Sequence, residues 1–357
     1  MRSSPVLLVL LSITALCVGC QRAPDAEQQM DNYLSRVARV LKQEFIPFDA
    51  NQLSQYRLAE RRDRLYDIPA ERISLLDLLI DVHQCKPLQQ RIAERNSVLG
   101  KVMPWSSRLG YEGELLRALD SCRQSLADDP PQQELLTELS DIAERKRSQL
   151  PAVFWNAINA SSEAEHYLRF ATEPLPVTSA PLTDEALPAL QQLTAIGSAL
   201  PEHLPPPVGE LDPLFQALQR SQRSSQLITA LAQTRHGLQQ ATAMLRAQPA
   251  TYLCPMNQPS ERSKILLNVF VLFYAGEIQP YLAQLQRLGE PWAAQIKQLR
   301  AVAHIPPATA QALDRLAGNP EALWDSYRQA VDEHTRAWQD VLGACQSAPG
   351  QAGWQTP

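Results

Sequence analysis

The chain has 357 residues, with 33 basic and 38 acidic side chains and a formal net charge of −5. This acidic balance argues against the basic face that nucleic-acid binding requires, so we expect no nucleic-acid partner. Glycine is scarce (13) and proline is frequent (28), while Leu, Ala and Gln outnumber the β-branched residues, which predicts helices joined by proline-rich connectors.

The N-terminus has the features of a secretory signal that ends at a cysteine. Arg2 precedes a short apolar run, and the run closes with Val18-Gly19-Cys20. The run is too short and wrongly flanked for a membrane span. Its ending is similar to that of bacterial lipoproteins, in which the cysteine carries the lipid and becomes the new N-terminus. We therefore predict a lipoprotein signal peptide over residues 1–19 and a palmitate-bearing anchor on Cys20.

The residues around Cys20 bear on sorting. Gln21 follows the cysteine, whereas enterobacterial lipoproteins retained in the inner membrane carry Asp there, so the resemblance favours the outer membrane and a periplasm-facing protein. Residues 20–28 would then form a tether. Cys17 stands where lipoprotein signals usually carry Leu, and an ordinary secretory signal with a coincidental cysteine is the alternative.

Apolar residues spaced three and four apart predict a first helical half over residues 29–170. The first helix is expected from Ala26 to Phe45, followed by an extended, solvated connection over residues 47–70. Residues 71–83 are apolar on several faces and predict a central helix. Three further helices are expected at Pro87 to Met103, at about Ser106 to Leu126, and through Leu135 to Phe154, where Pro151 predicts a kink or a division.

A proline-rich connector over residues 171–213, with one short helix near Thr183–Leu200, is expected to follow. It either joins two halves or crosses over within one bundle. The second half, residues 214–345, is predicted to pack on the first and to begin with a long helix from Leu214 to Arg246. Ser221, Gln222 and Ser225 interrupt the apolar face of that helix, which indicates a polar pocket or a loosely packed turn.

The remainder of the second half contains the most apolar stretch after the signal. Ile265 to Ala275 predicts a buried core helix, too short at eleven residues to span a bilayer, and Pro280 predicts a kink if the helix continues. The last helix carries an apolar seam at three-and-four spacing, formed by Trp324, Tyr327, Val331, His334, Trp338, Val341 and Cys345. Residues 346–357 are predicted to be a flexible tail.

Four cysteines remain after the signal and Cys20, namely Cys85, Cys122, Cys254 and Cys345. An even number in an oxidising compartment predicts two disulfides. Of the three possible connectivities, we favour Cys85–Cys122 with Cys254–Cys345, because the first pair flanks a predicted helical hairpin. Free buried thiols are the alternative. No C-x-x-C pair occurs, so we predict no metal site.

Several short blocks of sequence resemble an uncharacterised family of gammaproteobacterial lipoproteins, domain of unknown function 3080. The blocks are Gln90 to Ser97 with Leu99-Gly100, Trp155-Asn156-Ala157, Lys264-Ile265-Leu266, Asn268-Val269-Phe270, Phe273-Tyr274, Ile278-Gln279-Pro280-Tyr281, and His334-Thr335 with Trp338 and Cys345. The resemblance covers nearly the whole mature chain. It implies a lipoprotein signal and a helical body, and it implies no established activity or catalytic residues.

Motifs that would indicate catalysis are missing from the sequence. There is no G-x-S-x-G, S-x-x-K, phosphate-binding loop or H-E-x-x-H. Glu163 and His166 form one E-x-x-H, which we interpret as a solvated helix end, and Glu112 and Glu114 as exposed charge. His334 is expected to be a hydrogen-bonded core histidine, with a pH-sensitive or ligand-binding role as the alternative. We predict no catalytic residue, metal or cofactor.

Polar side chains within apolar helices form the one candidate site. They are Arg95, Asn96, Arg108, Asn156 and Asn268, with Trp155 and Tyr274 as aromatic neighbours. Because a buried amide without a partner is costly, each should be hydrogen-bonded, and the simplest interpretation is a structural network between helices. The alternative is a polar groove that receives a glycan or a peptide.

These observations predict an all-α, elongated multi-helix bundle. We expect a lipid-anchored scaffold or binding module with an envelope protein or glycan as partner, and no enzymatic activity. The alternatives are an enzyme acting on peptidoglycan or another envelope glycan, and a carrier of apolar ligands. A solvent-lined cleft with two facing carboxylates would favour the enzyme, an exposed apolar patch a partner surface, and an enclosed cavity the carrier.

Overall fold

A computed structural model describes residues 25–69, 82–127, 132–180, 182–351 and 353–354. All regular structure in these residues is helical, and no strand occurs among them, so the predicted all-α class is confirmed. The predicted signal, Cys20 and most of the tether lie outside the described residues. So does nearly all of the helix predicted at 71–83.

In the described part of the first half, the α-helices longer than one turn are α1 (Ala26–Leu41), α2 (Lys86–Asn96), α3 (Trp105–Leu126), α4 (Gln133–Ala160) and α5 (Ser162–Leu168). The Asp25 carboxylate caps α1 by accepting from the Gln28 amide, and Lys42 ends the helix in the left-handed conformation at φ 54°. The predicted helix from Pro87 to Met103 is divided at Ser97. The Ser97 hydroxyl accepts from the Gly100 amide and starts a separate one-turn helix, Val98–Lys101.

The second half begins after one connector helix, α6 (Leu187–Ser198). It continues with α7 (Val208–Arg220), α8 (Arg223–Arg246), α9 (Glu261–Arg300), α10 (Pro307–Leu316) and α11 (Leu323–Ala344). The predicted helix from Leu214 to Arg246 is thus two helices that meet at Ser221 and Gln222. Because α7 starts at Val208, the connector is shorter than predicted and ends before residue 213.

Helix α9 is longer than predicted and passes through Pro280 without ending. Over Phe270–Ile278 it adopts π-helical hydrogen bonding, in which the Gln279 amide donates to the Tyr274 carbonyl. Pro280 has no amide hydrogen, and the wider turn before it accommodates that loss. The predicted eleven-residue stretch is therefore part of a 40-residue helix. Among the described helices, this one could cross a membrane by length and composition alone, properties that buried core helices share.

The two predicted halves share one hydrophobic core, which extends from Ala26 to Cys345. The most extensive helix pairings are α3 with α4, α8 with α11, and α1 with α8. Helix α1 thus packs on second-half helices, while α7 packs on α3 and α5 of the first half. The proline-rich connector crosses over within this single core.

Both predicted disulfides are present. Cys85–Cys122 joins the start of α2 to α3 with a Cα–Cα distance of 5.4 Å, and Cys254–Cys345 joins the segment before α9 to the end of α11 at 5.2 Å. They close loops with sequence separations of 37 and 91 residues. The favoured connectivity is confirmed.

The segment after α11, which was predicted to be a flexible tail, contacts the core at two of its described residues. The buried Ser347 donates its amide hydrogen to the Leu342 carbonyl. The Trp354 ring lies 6.4 Å from the Phe270 ring. The predicted Cys254–Cys345 disulfide attaches the start of this segment to the residues before α9.

Candidate functional site

The residues of the predicted polar groove lie in separate parts of the fold. Arg95 and Asn96 are at the end of α2, where Asn96 donates to the Ile92 carbonyl at 2.9 Å and Arg95 donates to the Gly100 carbonyl. Arg108 is on α3, with its guanidinium 4.6 Å from the Trp105 ring centroid. The contacts of Arg95 and Asn96 stay within α2 and the turn after it, so they form no groove with the other predicted residues.

Arg108 belongs to an ion-pair cluster between α3 and α4. Its Nε lies 3.4 Å from Glu112 Oε1, and Lys146 Nζ on α4 lies 3.1 Å from the same carboxylate. Glu112 is only 2% exposed. The prediction of exposed charge at Glu112 is therefore wrong, because α4 covers this face of α3 and supplies the lysine. Glu114 instead pairs with Arg91 at 3.1 Å.

Asn268 and Tyr274 both lie on α9, but they face different surroundings. Asn268 is exposed, on the same side of the helix as the exposed Ile265 and Leu272. The prediction that this asparagine is embedded is wrong. Tyr274 is buried, with its hydroxyl 3.4 Å from Thr335 Oγ1, and burial raises its pKa. It belongs to the aromatic core rather than to a groove.

Trp155 and Asn156 are fully buried on α4, where their side chains form hydrogen bonds with the backbone of two other segments of the chain. Trp155 Nε1 donates to the Ala303 carbonyl at 2.9 Å. The Asn156 amide accepts from the Tyr66 amide at 2.8 Å and donates to the Tyr66 carbonyl at 2.9 Å. For these two residues the structure shows the structural network. It anchors residues 57–66, which we call the strap.

Arg64 and Asn159 fix the middle of the strap. Arg64 is 4% exposed, and its guanidinium donates to the carbonyls of Ala59 and Asn159 and to the Glu165 carboxylate, at 2.9, 3.0 and 3.0 Å. The Asn159 amide returns a hydrogen bond to the Arg64 carbonyl at 2.8 Å. The strap was predicted to be solvated, but its backbone is anchored on α4 by buried, satisfied polar groups.

A polar cleft of about 850 Å³ lies between the strap, residues 165–173 and the start of α8. We call it the strap cleft. Its charged lining consists of Arg57, Glu60, Arg61, Arg64, Glu165, Arg169 and Glu173. The two strap side chains Arg57 and Arg61 are exposed, and they form no ion pair with any residue that the structure describes. They are therefore available to a ligand.

The opposite wall of the strap cleft is attached to α8. The Ala171 amide donates to the Ser225 carbonyl at 3.0 Å, and the Thr229 hydroxyl donates to the Ala171 carbonyl at 2.6 Å. Gln222 and Ser225 line the cleft. Two of the three polar residues that interrupt the predicted long helix thus line a pocket, which was one of the two interpretations of that interruption.

A second pocket of about 520 Å³ adjoins the strap cleft, because both are lined by Gln222 and Gln226. Arg220 and Arg223 add two guanidinium groups there, and Glu185 adds one carboxylate. Within the strap cleft, burial and the neighbouring Arg169 lower the pKa of His166. Its Nδ1 lies 3.5 Å from the Arg169 guanidinium.

The strap cleft is not visible in the sequence pattern, because its lining residues come from positions more than 100 apart. The Arg61 to Arg64 run is a charge cluster that also suits a solvated loop, and His166 is in the E-x-x-H dismissed as a helix end. In the described part of the chain, no group of three or more His, Cys, Asp or Glu side chains could hold a metal ion.

His334 is the centre of a second polar cluster, which is fully buried between α1, α8 and α11. Trp338 Nε1 donates to His334 Nε2 at 3.1 Å and to the Tyr33 hydroxyl at 2.9 Å. Tyr33 therefore donates to Nε2 at 2.7 Å, and the opposite nitrogen donates to the Thr242 hydroxyl at 3.0 Å. Burial, with a smaller effect of Arg246, lowers the pKa of His334 to about 3. The geometry is that of a neutral core histidine.

The comparisons with known proteins give a family and no function. A family model described as a protein of unknown function (DUF3080) matches residues 30–349. No curated protein and no solved structure matches the chain. Since the match spans nearly all of the described helices, the resemblance inferred from the sequence blocks is confirmed at the level of the family, and the chain belongs to DUF3080.

Proposed function

We propose that this protein is a non-catalytic binding module of the bacterial cell envelope, held at the outer membrane by a lipid on Cys20 and facing the periplasm. The Val18-Gly19-Cys20 ending supports the anchor. Two disulfides support a compartment outside the cytosol, because thiols are kept reduced in the cytosol of most bacteria.

The observation that carries the binding role is the strap cleft. Its volume of about 850 Å³ lies within the range of ligand sites, about 300–1,000 Å³. Arg57 and Arg61 face solvent, while the backbone that bears them is fixed by Asn156 and Arg64. A rigid support with unused donors lowers the entropic cost of binding.

An exposed apolar patch supports a scaffold role in addition. Val98, Leu99 and Val102 are 83%, 81% and 72% exposed, and they lie together in the one-turn helix after α2 and the residue that follows it. Neighbouring apolar side chains at this level of exposure are a feature of protein contact surfaces. This patch is separate from the strap cleft, so one face could hold a protein partner while the other binds a ligand.

The second candidate function is an enzyme that acts on peptidoglycan or another envelope glycan. Glu60, Glu165 and Glu173 line the strap cleft, and paired carboxylates are the usual catalysts of glycoside hydrolysis. Glu165, however, is held by Arg64 at 3.0 Å. The apolar-ligand carrier has less support, because the pocket between α1 and α8 has a volume of only about 50 Å³.

The anchor is tested by comparing the wild type with Cys20→Ser, using labelled palmitate and separation of the inner and outer membranes. We expect the label in wild-type protein in the outer membrane, and unlabelled, released protein for the variant. Cys17→Ser is the matched control and should behave as the wild type. A wild type that never takes up palmitate would disprove the anchor.

The binding role is tested in cells with a photo-crosslinking amino acid at position 172, where an exposed threonine lines the strap cleft and the arginines are left intact. Position 328, on the solvent face of α11, serves as the control. We expect an envelope component crosslinked from position 172 alone. Crosslinks from position 328 only, or from neither position, would contradict a ligand site in the cleft.

The enzyme is distinguished by incubating purified protein with peptidoglycan and separating soluble products by chromatography. We expect no products. Products that appear with the wild type and disappear in Glu60→Gln/Glu173→Gln would establish the enzyme instead.

A further inference from the structure

We infer that the strap cleft binds an anionic chain, whose carboxylate or phosphate groups contact the strap arginines at one end and Arg220 and Arg223 at the other. This inference rests on the proposed function, because it names the ligand class of the same cleft. The partner is a polymer or oligomer with repeated negative charge, rather than a single small anion.

The charge around the strap cleft favours an anionic ligand. The whole chain has a formal net charge of −5, yet the strap cleft and the adjoining pocket are lined by six arginines against four glutamates. Arg64 and Glu165 neutralise each other at 3.0 Å. The arginine excess is therefore concentrated at exposed side chains of one concave surface, where the surrounding low-dielectric walls focus the field.

The basic side chains that line the two pockets are of the type that binds oxyanions best. Every basic lining residue other than His166 is an arginine, and none is a lysine. A guanidinium group presents paired N–H donors that match the two oxygens of a carboxylate or a phosphate, whereas a lysine acts as a point charge. The arginine lining therefore suits ligands with carboxylate groups, which are planar, or phosphate groups, which are tetrahedral. It suits them better than ligands that are negatively charged but lack paired oxygens.

The backbone that carries Arg57 and Arg61 is held by hydrogen bonds. The Arg57 carbonyl accepts from the Arg315 guanidinium at 3.1 Å, and the Ala59 carbonyl accepts from Arg64 at 2.9 Å. Arg61 begins the 3-10 turn Arg61–Arg64, whose last residue is buried. The backbone on both sides of the two free guanidinium groups is thus fixed, so that binding has to order the side chains alone.

The two pockets together are long enough to favour an extended ligand. Gln222 and Gln226 line both pockets, so the two pockets adjoin at these side chains, and a ligand that passes them reaches Arg220 and Arg223 from the strap. The Arg223 guanidinium donates to the Gln226 side chain, which lines both pockets, at 3.4 Å. The N-terminus of the 24-residue helix α8 lies at the junction and adds partial positive charge. An extended ligand can use both ends, whereas a small anion can use only one.

The lining also disfavours a neutral sugar. Among the described residues that line the strap cleft, Phe170 is the single Phe, Tyr or Trp side chain, and it is half-buried against the core. Trp155 and Tyr274, which the sequence suggested as sugar platforms, are buried elsewhere. Without an aromatic face to stack on, charge is the main source of affinity.

The test uses the full chain in detergent and three probes: oligogalacturonate as a polycarboxylate, inorganic polyphosphate, and neutral dextran. Affinity is measured by isothermal titration calorimetry at about 50 mM and about 200 mM salt. We expect binding of at least one polyanion, a weaker affinity at the higher salt concentration, and no binding of dextran. The stronger of the two polyanions identifies carboxylate or phosphate as the preferred group.

Variants locate the site. Arg57→Gln/Arg61→Gln should weaken polyanion binding about tenfold or more, because charge-assisted contacts are lost. Arg328→Gln/Arg336→Gln makes the same charge change on the exposed face of α11, and it should alter the affinity less than about twofold. Arg220→Gln/Arg223→Gln should weaken the binding of long oligomers. It should leave the binding of their two-unit forms, digalacturonate and pyrophosphate, unchanged. Circular dichroism verifies that each variant is folded.

The outcomes separate this inference from the proposed function. Absence of polyanion binding by the wild type, or equal losses in the strap and α11 variants, would overturn the anionic ligand. Dextran binding that the strap variant weakens would overturn it too, while leaving the cleft as a binding site. Failure of the proposed function is seen independently, as the absence of crosslinks from position 172 in cells.

Discussion

The His334 cluster and the strap cleft are both built from polar side chains on helices, yet they differ in what they leave unused. In the cluster, the hydrogen-bonding atoms of His334, Tyr33 and the Trp338 indole all meet one another or Thr242. In the strap, the buried polar groups are paired in the same way, while Arg57 remains free at the surface. Only the strap cleft keeps hydrogen-bonding capacity for a second molecule.

The largest expected effect comes from His334→Leu. Removing the imidazole leaves the Tyr33 hydroxyl without its buried acceptor and the Thr242 hydroxyl without its donor, while the Trp338 indole keeps only its contact with Tyr33. The substitution should destabilise the fold by about 3 kcal/mol or more. Urea unfolding followed by circular dichroism measures the change. Polyanion binding by the folded fraction should be unchanged, and a loss of binding with intact stability would break the distinction between the two regions.

Acidification should act through the same residue. The folded-state pKa of His334 is lowered to about 3, whereas an unfolded histidine titrates near about 6.5. The unfolded state therefore binds a proton first, so this contribution to stability is complete above pH 6.5. It is lost as the pH falls from about 6.5 to 3, by a few kcal/mol. Unfolding curves across this range should be less pH-dependent in His334→Gln. Identical pH dependence in both proteins would contradict the assignment.

Asn156→Ala should have a smaller effect, located at the strap. The Tyr66 amide and carbonyl lose their partner, which costs about 1–3 kcal/mol, and hydrogen exchange at Tyr66 should accelerate. Polyanion affinity should fall as well, because the strap is less ordered. Asn268→Ala, at an exposed position of α9, is the matched control. Its free energy of unfolding should change by no more than about 0.5 kcal/mol. Equal effects of both substitutions would exclude the anchoring role.

The smallest effect on stability is expected for Arg57→Gln/Arg61→Gln. Because these side chains are exposed and unpaired among the described residues, the free energy of unfolding should change by less than about 0.5 kcal/mol. Thermal unfolding measures this directly. A marked destabilisation would mean that the arginines support the fold, which would remove them as ligand groups.

Local sequence pattern was sufficient for much of the fold. Three-and-four spacing located α1, α3 and α11 to within a few residues, because each helix buries one stripe. The disulfide pairs followed from an even cysteine count and a predicted hairpin. The break between α7 and α8 was visible only as polar residues at Ser221 and Gln222, since no proline or glycine marks it.

The candidate site could not be predicted in the same way, because its contacts join distant parts of the chain. Asn156 meets Tyr66 across 90 residues, and no spacing rule connects an asparagine to a particular backbone group. Glu112 was predicted to be exposed because its partner, Lys146, lies on another helix and is not marked by any local spacing. Asn268 looked embedded because the residues around it are apolar on every face of α9, so periodicity could not identify the solvent side.

The Cys254–Cys345 disulfide has a consequence for proteolysis. It closes a covalent ring around α9, α10 and α11, with the exposed turn at Gly318 and Asn319 inside the ring. A protease that cuts once in this turn would leave both pieces joined through sulfur. The nicked protein should migrate as one band on a gel without reductant and as two bands after reduction, and its helices should remain docked until the bond is opened.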